Sequence, residues 1–217
     1  MALIFGLGPM LAISLGINAL IQNFNLMAPL IGLFGLIAEP ERISLAALVF
    51  TAFWSYKITS VLASVTIGLN SDNNAVEMAQ PRVQRASLTG IAGRAYAAHL
   101  NNLETIPIYA AAVLAAYITD VPLQLRNTMA VTYLVARVIH TVVYLANMTQ
   151  ARTLSYLVST SACLILLSFA AFRNFGSFYD SVLSILGGAR YPTAQNHITD
   201  AAHKAAASII AAVKNEL

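Results

Sequence analysis

The sequence has few charged residues and a single cysteine. Only 10% of its 217 residues are charged and 58% are hydrophobic, which is far from the balance of a soluble domain. The 12 basic and 9 acidic residues are scattered, without the basic run that would follow a phosphate backbone. The lone Cys163 excludes an internal disulfide framework. These absences predict a membrane protein and exclude nucleic acid as a partner.

The N-terminal region lacks the cations that targeting sequences need. No charged residue precedes Glu39, whereas secretory and mitochondrial presequences both require early positive charge. The same apolar stretch is interrupted by Gly16, Asn23, Asn25, Pro29 and Gly32. We therefore expect two short embedded or re-entrant helices here, with one clean fifth span as the alternative.

Motifs for metal and nucleotide chemistry are also missing. The four histidines lack HExxH or other ligand spacing; they are His99, His140, His197 and His203. No GxSxG, P-loop or dinucleotide fingerprint is present. The sequence therefore supports no metal site, no serine hydrolase and no nucleotide enzyme.

Apolar runs of about 20 residues, the length that crosses a bilayer, are plentiful. Four of them occur, at about residues 45–69, 98–118, 128–146 and 154–172. Short turns around Asp120 and Asn147 make consecutive helices antiparallel. The predicted fold class is all-α, an integral membrane four-helix bundle.

The two flanks of this bundle predict additional helices. The C-terminal flank predicts a short helix near 177–186, a break at "GGARYPT" and an amphipathic helix near 198–213. Such a helix lies on a membrane surface or docks on a partner. We therefore expect three regions: an apolar membrane-embedded extension at 1–42, the four-helix domain at 43–173, and a surface or docking extension at 174–217.

Polar residues collect near one end of the second, third and fourth spans. They are Asn101 and Glu104, then Arg137, His140, Thr141 and Tyr144, then Arg152 and Ser155. The topology places them at one membrane face, and such a cluster marks a binding site or a structural network. A carboxylate inside a bilayer needs a partner. We therefore expect Glu104 to meet Arg137 or Arg94, either within a ligand site or as a plain ion pair that fixes helix register.

Three segments resemble signatures of one family. They are "AHLNNLETIPIY" in the second span, "ARVIHTVVYL" in the third and "ARTLSY" at the start of the fourth. In this order they resemble the MAPEG family, the membrane-associated proteins in eicosanoid and glutathione metabolism, over about residues 44–173. The resemblance implies a homotrimer of four-helix bundles that holds glutathione between neighbouring subunits near one membrane face.

The resemblance also implies roles for individual residues. The implied glutathione contacts are Asn101, Glu104, Arg137, His140, Tyr144, Arg152 and Ser155. Arg152 corresponds to the arginine that holds the thiol as the nucleophilic thiolate, and Tyr144 or Ser155 would assist. Glu104 would receive the amino group of glutathione.

The sequence also departs from the family pattern. Several members carry arginines where this chain has Ala97 and Leu100. The arginine that often closes the first helix also has no counterpart, and Arg82 or Arg85 in the loop is its available substitute. Fewer cations would weaken thiolate binding. Two functions therefore stay open.

The first function is a glutathione-dependent transferase or peroxidase that acts on a lipophilic electrophile in the bilayer. The second is a catalytically silent accessory subunit of a larger respiratory or photosynthetic membrane complex. The expected partners are membrane lipid with either two more copies of the chain or unrelated subunits. The sequence is equally compatible with the endoplasmic reticulum, the mitochondrion and a bacterial inner membrane.

Overall fold

A computed structural model describes residues 2–70, 85, 88–172 and 174–185. The helices are α1 (Ala2–Asn23), α2 (Ala28–Phe34), α3 (Ile43–Phe53), a π-helical turn (Trp54–Ile58), α4 (Thr59–Asn70), α5 (Gly90–Ile118), α6 (Leu123–Leu145), α7 (Thr149–Ala171) and α8 (Phe175–Ile185). No strand occurs in these ranges. Three segments have the length and apolarity of a membrane span: Pro40–Leu69, Leu123–Leu145 and Thr149–Ala171. The predicted all-α integral membrane bundle is confirmed.

Helices α5, α6 and α7 form the centre of the bundle, where each packs against the other two. The buried face of α5 carries small residues that allow close approach of helix backbones; they are Ala92, Ala95, Ala98, Ala112 and Ala116. Each of the three helices begins several residues before the apolar run that predicted it. The first turns of α6 and α7 are polar, and α5 reaches Arg94 in its second turn. Hydropathy detects only the part of a helix that is continuously apolar, so it misses such ends.

The turns between these helices are short and use residues that tolerate the left-handed conformation. Asp120 has φ 51° and Asn147 has φ 60°, which short polar side chains adopt more readily than other residues. The Val121 N–H donates to the Ala116 carbonyl and the Met148 N–H to the Val143 carbonyl, both at 3.0 Å. These bonds cap the preceding helices and make α5, α6 and α7 consecutively antiparallel, as predicted.

The first span is one long helix with a π-helical turn at its middle. Its buried residues recur every fourth position, at Ala47, Thr51, Ser55, Thr59 and Ala63. An α-helix advances 3.6 residues per turn, so a strict four-residue repeat would drift around its surface. The π turn at Trp54–Ile58 contains one residue more than an α-helical turn. This extra residue compensates for the drift and keeps the buried row on the core face.

The N-terminal region differs in part from the prediction. Helix α1 has 22 residues and continues through Gly16, where an added Cβ would meet nothing within 4 Å. The expectation of a short first helix is therefore wrong. The break falls after Asn23, where Asn25 has φ 50°, and the segments Ala12–Asn23 and Ala28–Phe34 are bent by 66°. The pair is a broken span or a re-entrant loop.

Buried polar contacts join α1 to the bundle. The Asn18 side-chain amide donates to the Val158 carbonyl at 3.1 Å and to Ser161 Oγ at 2.6 Å. The Tyr179 hydroxyl of α8 donates to Gln22 Oε1 at 2.7 Å. Helix α8 agrees with the predicted helix at 177–186, whereas the "GGARYPT" break and the predicted helix at 198–213 lie outside the described residues.

Candidate functional site

A buried arginine lies at the centre of the polar residues. Arg137 on α6 has an exposed fraction of 0%. Its Nε donates to Asn102 Oδ1 at 3.1 Å, and its Nη2 donates to the Asn101 carbonyl at 2.7 Å and to Asn101 Oδ1 at 2.9 Å. Amide and carbonyl oxygens, without a carboxylate, therefore hold the guanidinium in a fixed plane.

Asn102, which was not among the residues predicted from the sequence, connects this arginine to the neighbouring helices. Its side-chain amide donates to the Ala98 carbonyl at 2.8 Å and to Thr141 Oγ1 at 3.0 Å. Trp54 in the π turn donates to the same Thr141 hydroxyl at 3.4 Å. The adjacent asparagines in "NN" could have predicted this contact. Adjacent residues of a helix point about 100° apart, so their side chains can accept hydrogen bonds from two sides of one guanidinium.

Glu104 makes no ion pair with Arg137 or Arg94, so the predicted contact is wrong, although its charge acts on the Arg137 guanidinium from a longer distance. Its side chain is exposed, and within the described residues the one ion pair joins Arg42 and Glu39 at 3.3 Å. Arg94 Nε instead donates to the Leu145 carbonyl at 3.0 Å. A three-residue spacing leaves Glu104 turned about 60° from Asn101, and that rotation carries the carboxylate onto the outer face of α5.

His140 lies on the same side of the bundle and contacts the beginning of α7. Its Nδ1 is 3.1 Å from the Arg152 carbonyl oxygen and 3.2 Å from Ser155 Oγ. A carbonyl can only accept, so Nδ1 carries the hydrogen and Nε2 is the acceptor of the neutral ring. This Nε2 and Arg137 Nη1 are both buried and have no hydrogen-bond partner in the described part of the chain.

Aromatic rings surround the two cations. The Arg152 guanidinium lies 4.5 Å from the centroid of the Tyr144 ring, and that of Arg137 lies 5.8 Å from the Tyr156 ring, both within cation–π range. The His140 ring meets Tyr144 edge to face at 5.5 Å. The half-buried Arg152 side chain makes no hydrogen bond to any residue that the structure describes.

The predicted site residues therefore fall into three groups. Five of them, Arg137, His140, Tyr144, Arg152 and Ser155, lie together at the α6–α7 turn; we call these five the arginine–histidine cluster. Asn101 supports the cluster from α5, and Glu104 faces outward. Of the loop arginines proposed as substitutes, Arg85 lies 5.9 Å from the Tyr96 ring near the start of α5, and Arg82 falls outside the described residues.

An apolar groove adjoins the cluster. It has a volume of about 340 Å³ and lies between α1, α6 and α7. Ser155, which contacts His140, lines its wall together with apolar side chains that include Ile17, Ile21 and Val135. In the part of the chain that the structure describes, no three His, Cys, Asp or Glu residues come together as metal ligands.

The order of these elements matches a known family. The sequence profile of the MAPEG family matches residues 18–172, which include the C-terminal end of α1, the break after it and all four predicted spans. The chain belongs to the MAPEG family. No curated protein and no solved structure matches it. The family match thus covers both the arginine–histidine cluster and the part of α1 that hydrogen-bonds to α7.

Proposed function

We propose that this MAPEG protein binds glutathione at the arginine–histidine cluster and directs its thiolate at a lipophilic electrophile, as a transferase or a peroxidase. The proposal rests on the surroundings of the Arg152 side chain. Its guanidinium is half-buried, lies over one aromatic ring and makes no hydrogen bond within the described residues. His140 contacts the Arg152 carbonyl and Arg137 lies one turn before His140 on the same helix, so an anionic ligand at this end of the bundle would find two cations and one acceptor.

The position of Arg152 in its helix strengthens this argument. It lies in the first turn of α7, which begins at Thr149, where the helix dipole already favours an anion and disfavours a cation. A bound thiolate would be stabilised by the guanidinium and the helix N-terminus together. Because the thiolate is the reactive form of a thiol, this arrangement supports nucleophilic activation of glutathione.

The remaining groups of the cluster suit the rest of the ligand. Arg137 Nη1 is a buried donor without a partner among the described residues, and buried donors of this kind are costly unless they are satisfied. A carboxylate of glutathione would satisfy it. His140 Nε2 would accept a hydrogen from a ligand amide or thiol, and Ser155 would sit between the thiolate and the groove.

The groove supports a lipophilic second substrate. Its volume of about 340 Å³ is at the lower end of the range for small-molecule sites, and nearly all of its lining is apolar. An apolar molecule dissolved in the bilayer would therefore approach the cluster past Ser155. The proposed assembly is a homo-oligomer, as the family resemblance implies, and Glu104 contributes to ligand binding only where a neighbouring copy covers its face.

The test is a glutathione titration and a turnover assay on the full chain in lipid nanodiscs. We expect binding by calorimetry in the millimolar range or tighter, and thiol-dependent conjugation or reduction of a lipophilic electrophile or lipid hydroperoxide. A glutathione analogue whose thiol is replaced by a hydroxyl is the matched control, because it should bind without turnover. The absence of millimolar binding by an assembled wild type would rule out the proposal.

A further inference from the structure

Two exposed charges lie on the outer surface of the bundle, within the depth of the membrane. Of the charged residues in the first span and in α5, α6 and α7, Lys57, Glu104 and Arg137 lie away from the helix ends. Arg137 is buried and bonded by amides. Lys57 and Glu104 are both exposed and form no ion pair, with each other or with any other described residue.

Each of these charges interrupts an apolar stripe. Lys57 lies between exposed Phe53 and Val61, four residues to either side. Glu104 lies between exposed Leu100 and Ile108, again four residues to either side. A charge that faces hydrocarbon is costly, and membrane proteins avoid it by pairing. The two apolar surfaces therefore carry opposite charges, positive at Lys57 and negative at Glu104.

The two charges also lie at similar depth. Thr59 Oγ1 is 2.8 Å from His99 Nδ1, and Trp54 reaches Asn102 through Thr141. Lys57 is therefore level with the turn of α5 between His99 and Asn102. Glu104 lies about one turn deeper, which is within the reach of a lysine side chain.

The carboxylate of Glu104 lies well along the length of α5. The bond from Arg94 to the Leu145 carbonyl marks the level where α6 ends. At 1.5 Å per residue Glu104 lies about 15 Å below that level, which is about half the hydrocarbon thickness. The charge of Glu104 acts on Arg137 from a distance without forming an ion pair, so an exposed carboxylate at this depth is favoured by a cation on the surface that covers it.

We propose that Lys57 of one copy pairs with Glu104 of a neighbouring copy, so that the outer face of the π turn packs on the outer face of α5. The contact joins two different surfaces, and a heterologous contact of this kind forms a ring when the rotation between copies closes, as in the trimer that the family resemblance implies. This inference rests on the homo-oligomer that is part of the proposed function. It does not need glutathione, and the second carboxylate oxygen of Glu104 stays open to the amino group of a ligand.

A membrane-permeant carbodiimide tests the pair on the natural side chains. It condenses the Lys57 amine and the Glu104 carboxylate into an amide, and the carbodiimide takes up the lost water as a urea. Assemblies are formed from mixed ¹⁵N-labelled and unlabelled chains in nanodiscs without glutathione. We expect a cross-linked peptide with one labelled and one unlabelled half. A product confined to same-isotope pairs, or no Lys57–Glu104 product, would overturn the proposal.

Matched variants separate the contact from folding. Lys57→Arg keeps the charge but cannot form the amide, so it should lose the cross-link and keep the oligomer in native mass spectrometry. Lys57→Glu and Glu104→Lys should each lose the oligomer, and the double exchange should restore it. Wild-type assembly of both single variants would contradict the inference. A cross-link in a chain that does not bind glutathione would end the proposed function and leave this contact standing.

Discussion

The two ends of the bundle each hold an arginine over a tyrosine ring, and they differ in what else the arginine touches. Arg126 lies 4.9 Å from the Tyr117 ring at one end, and Arg152 lies 4.5 Å from the Tyr144 ring at the other. Both occupy the first turn of a helix, where the helix dipole disfavours a cation. Arg126 is 5% exposed and donates to the Glu41 carbonyl at 3.0 Å. Arg152 is half-buried and has no such acceptor among the described residues.

The comparison shows which property indicates a ligand site. Each end has a buried nitrogen without a partner in the described chain, Arg126 Nε and Arg137 Nη1, so an unpartnered atom alone does not distinguish them. Arg126 joins α6 to the turn before α3, with help from Asn127, which donates to the Pro40 carbonyl at 2.8 Å. The Arg152 guanidinium contacts the Tyr144 ring but donates no hydrogen bond in the described structure. An accessible cation without a structural duty is the better candidate for an anionic ligand.

The largest expected effect comes from Arg137, which combines burial with a place in the cluster. Arg137→Leu leaves the oxygens of Asn101 and Asn102 without a donor, and hydrogen bonds to charged groups are worth roughly 1.5 to 3 kcal/mol each. We expect a loss of about 3 kcal/mol in the free energy of unfolding, together with loss of glutathione binding. Denaturant titration in mixed micelles measures the first and calorimetry the second. Arg137→Lys should have a stability between those of the wild type and Arg137→Leu. An unchanged stability of Arg137→Leu would contradict the assigned contacts.

Arg152→Ala should affect turnover and leave the fold intact. A charge-assisted contact worth about 1.5 to 3 kcal/mol corresponds to a roughly ten- to hundredfold loss in glutathione-dependent turnover at 1.4 kcal/mol per decade. The unfolding midpoint should stay near that of the wild type, because no described hydrogen bond depends on this side chain. Equal turnover of variant and wild type would remove Arg152 from the proposed mechanism.

Arg126→Ala is the matched control from the other end and should show the opposite pattern. It removes a buried donor to the Glu41 carbonyl, so we expect a loss of about 1.5 kcal/mol in stability. Turnover per folded chain should not change, because Arg126 is at the beginning of α6 and the cluster is at the turn where α6 ends. If Arg126→Ala lowered turnover as strongly as Arg152→Ala, the distinction between the two ends would fail.

Helix placement and most of the cluster could be predicted from the sequence. Apolar length located the helices, and short turns brought Arg152, Ser155 and His140 to one end. The direction of Glu104 could not be predicted, because spacing shows that two residues share a side of a helix but not which side meets the bundle. The continuity of α1 was missed for a similar reason. Gly16 signals a possible break only if packing does not hold the helix, and Asn18 holds it by bonds to α7.

The smallest effect concerns the ring beneath Arg152. An exposed cation–π contact contributes about 0.5 to 1 kcal/mol, so Tyr144→Leu should lower glutathione-dependent turnover by roughly two- to fivefold. Tyr144→Phe keeps the ring and should stay near the wild type, whereas Tyr117→Leu should change only stability.

The pair Tyr144→Phe and Tyr144→Leu also separates the ring from the hydroxyl group. The Arg152 guanidinium is placed over the ring centroid, and the Tyr144 hydroxyl makes no hydrogen bond in the described residues, so positioning requires only the ring. A direct role for the hydroxyl in thiol activation would instead give equal losses in both variants, near the ten- to hundredfold loss expected for Arg152→Ala. Steady-state turnover at saturating glutathione, measured for the three variants in parallel, distinguishes a positioning ring from a reacting hydroxyl.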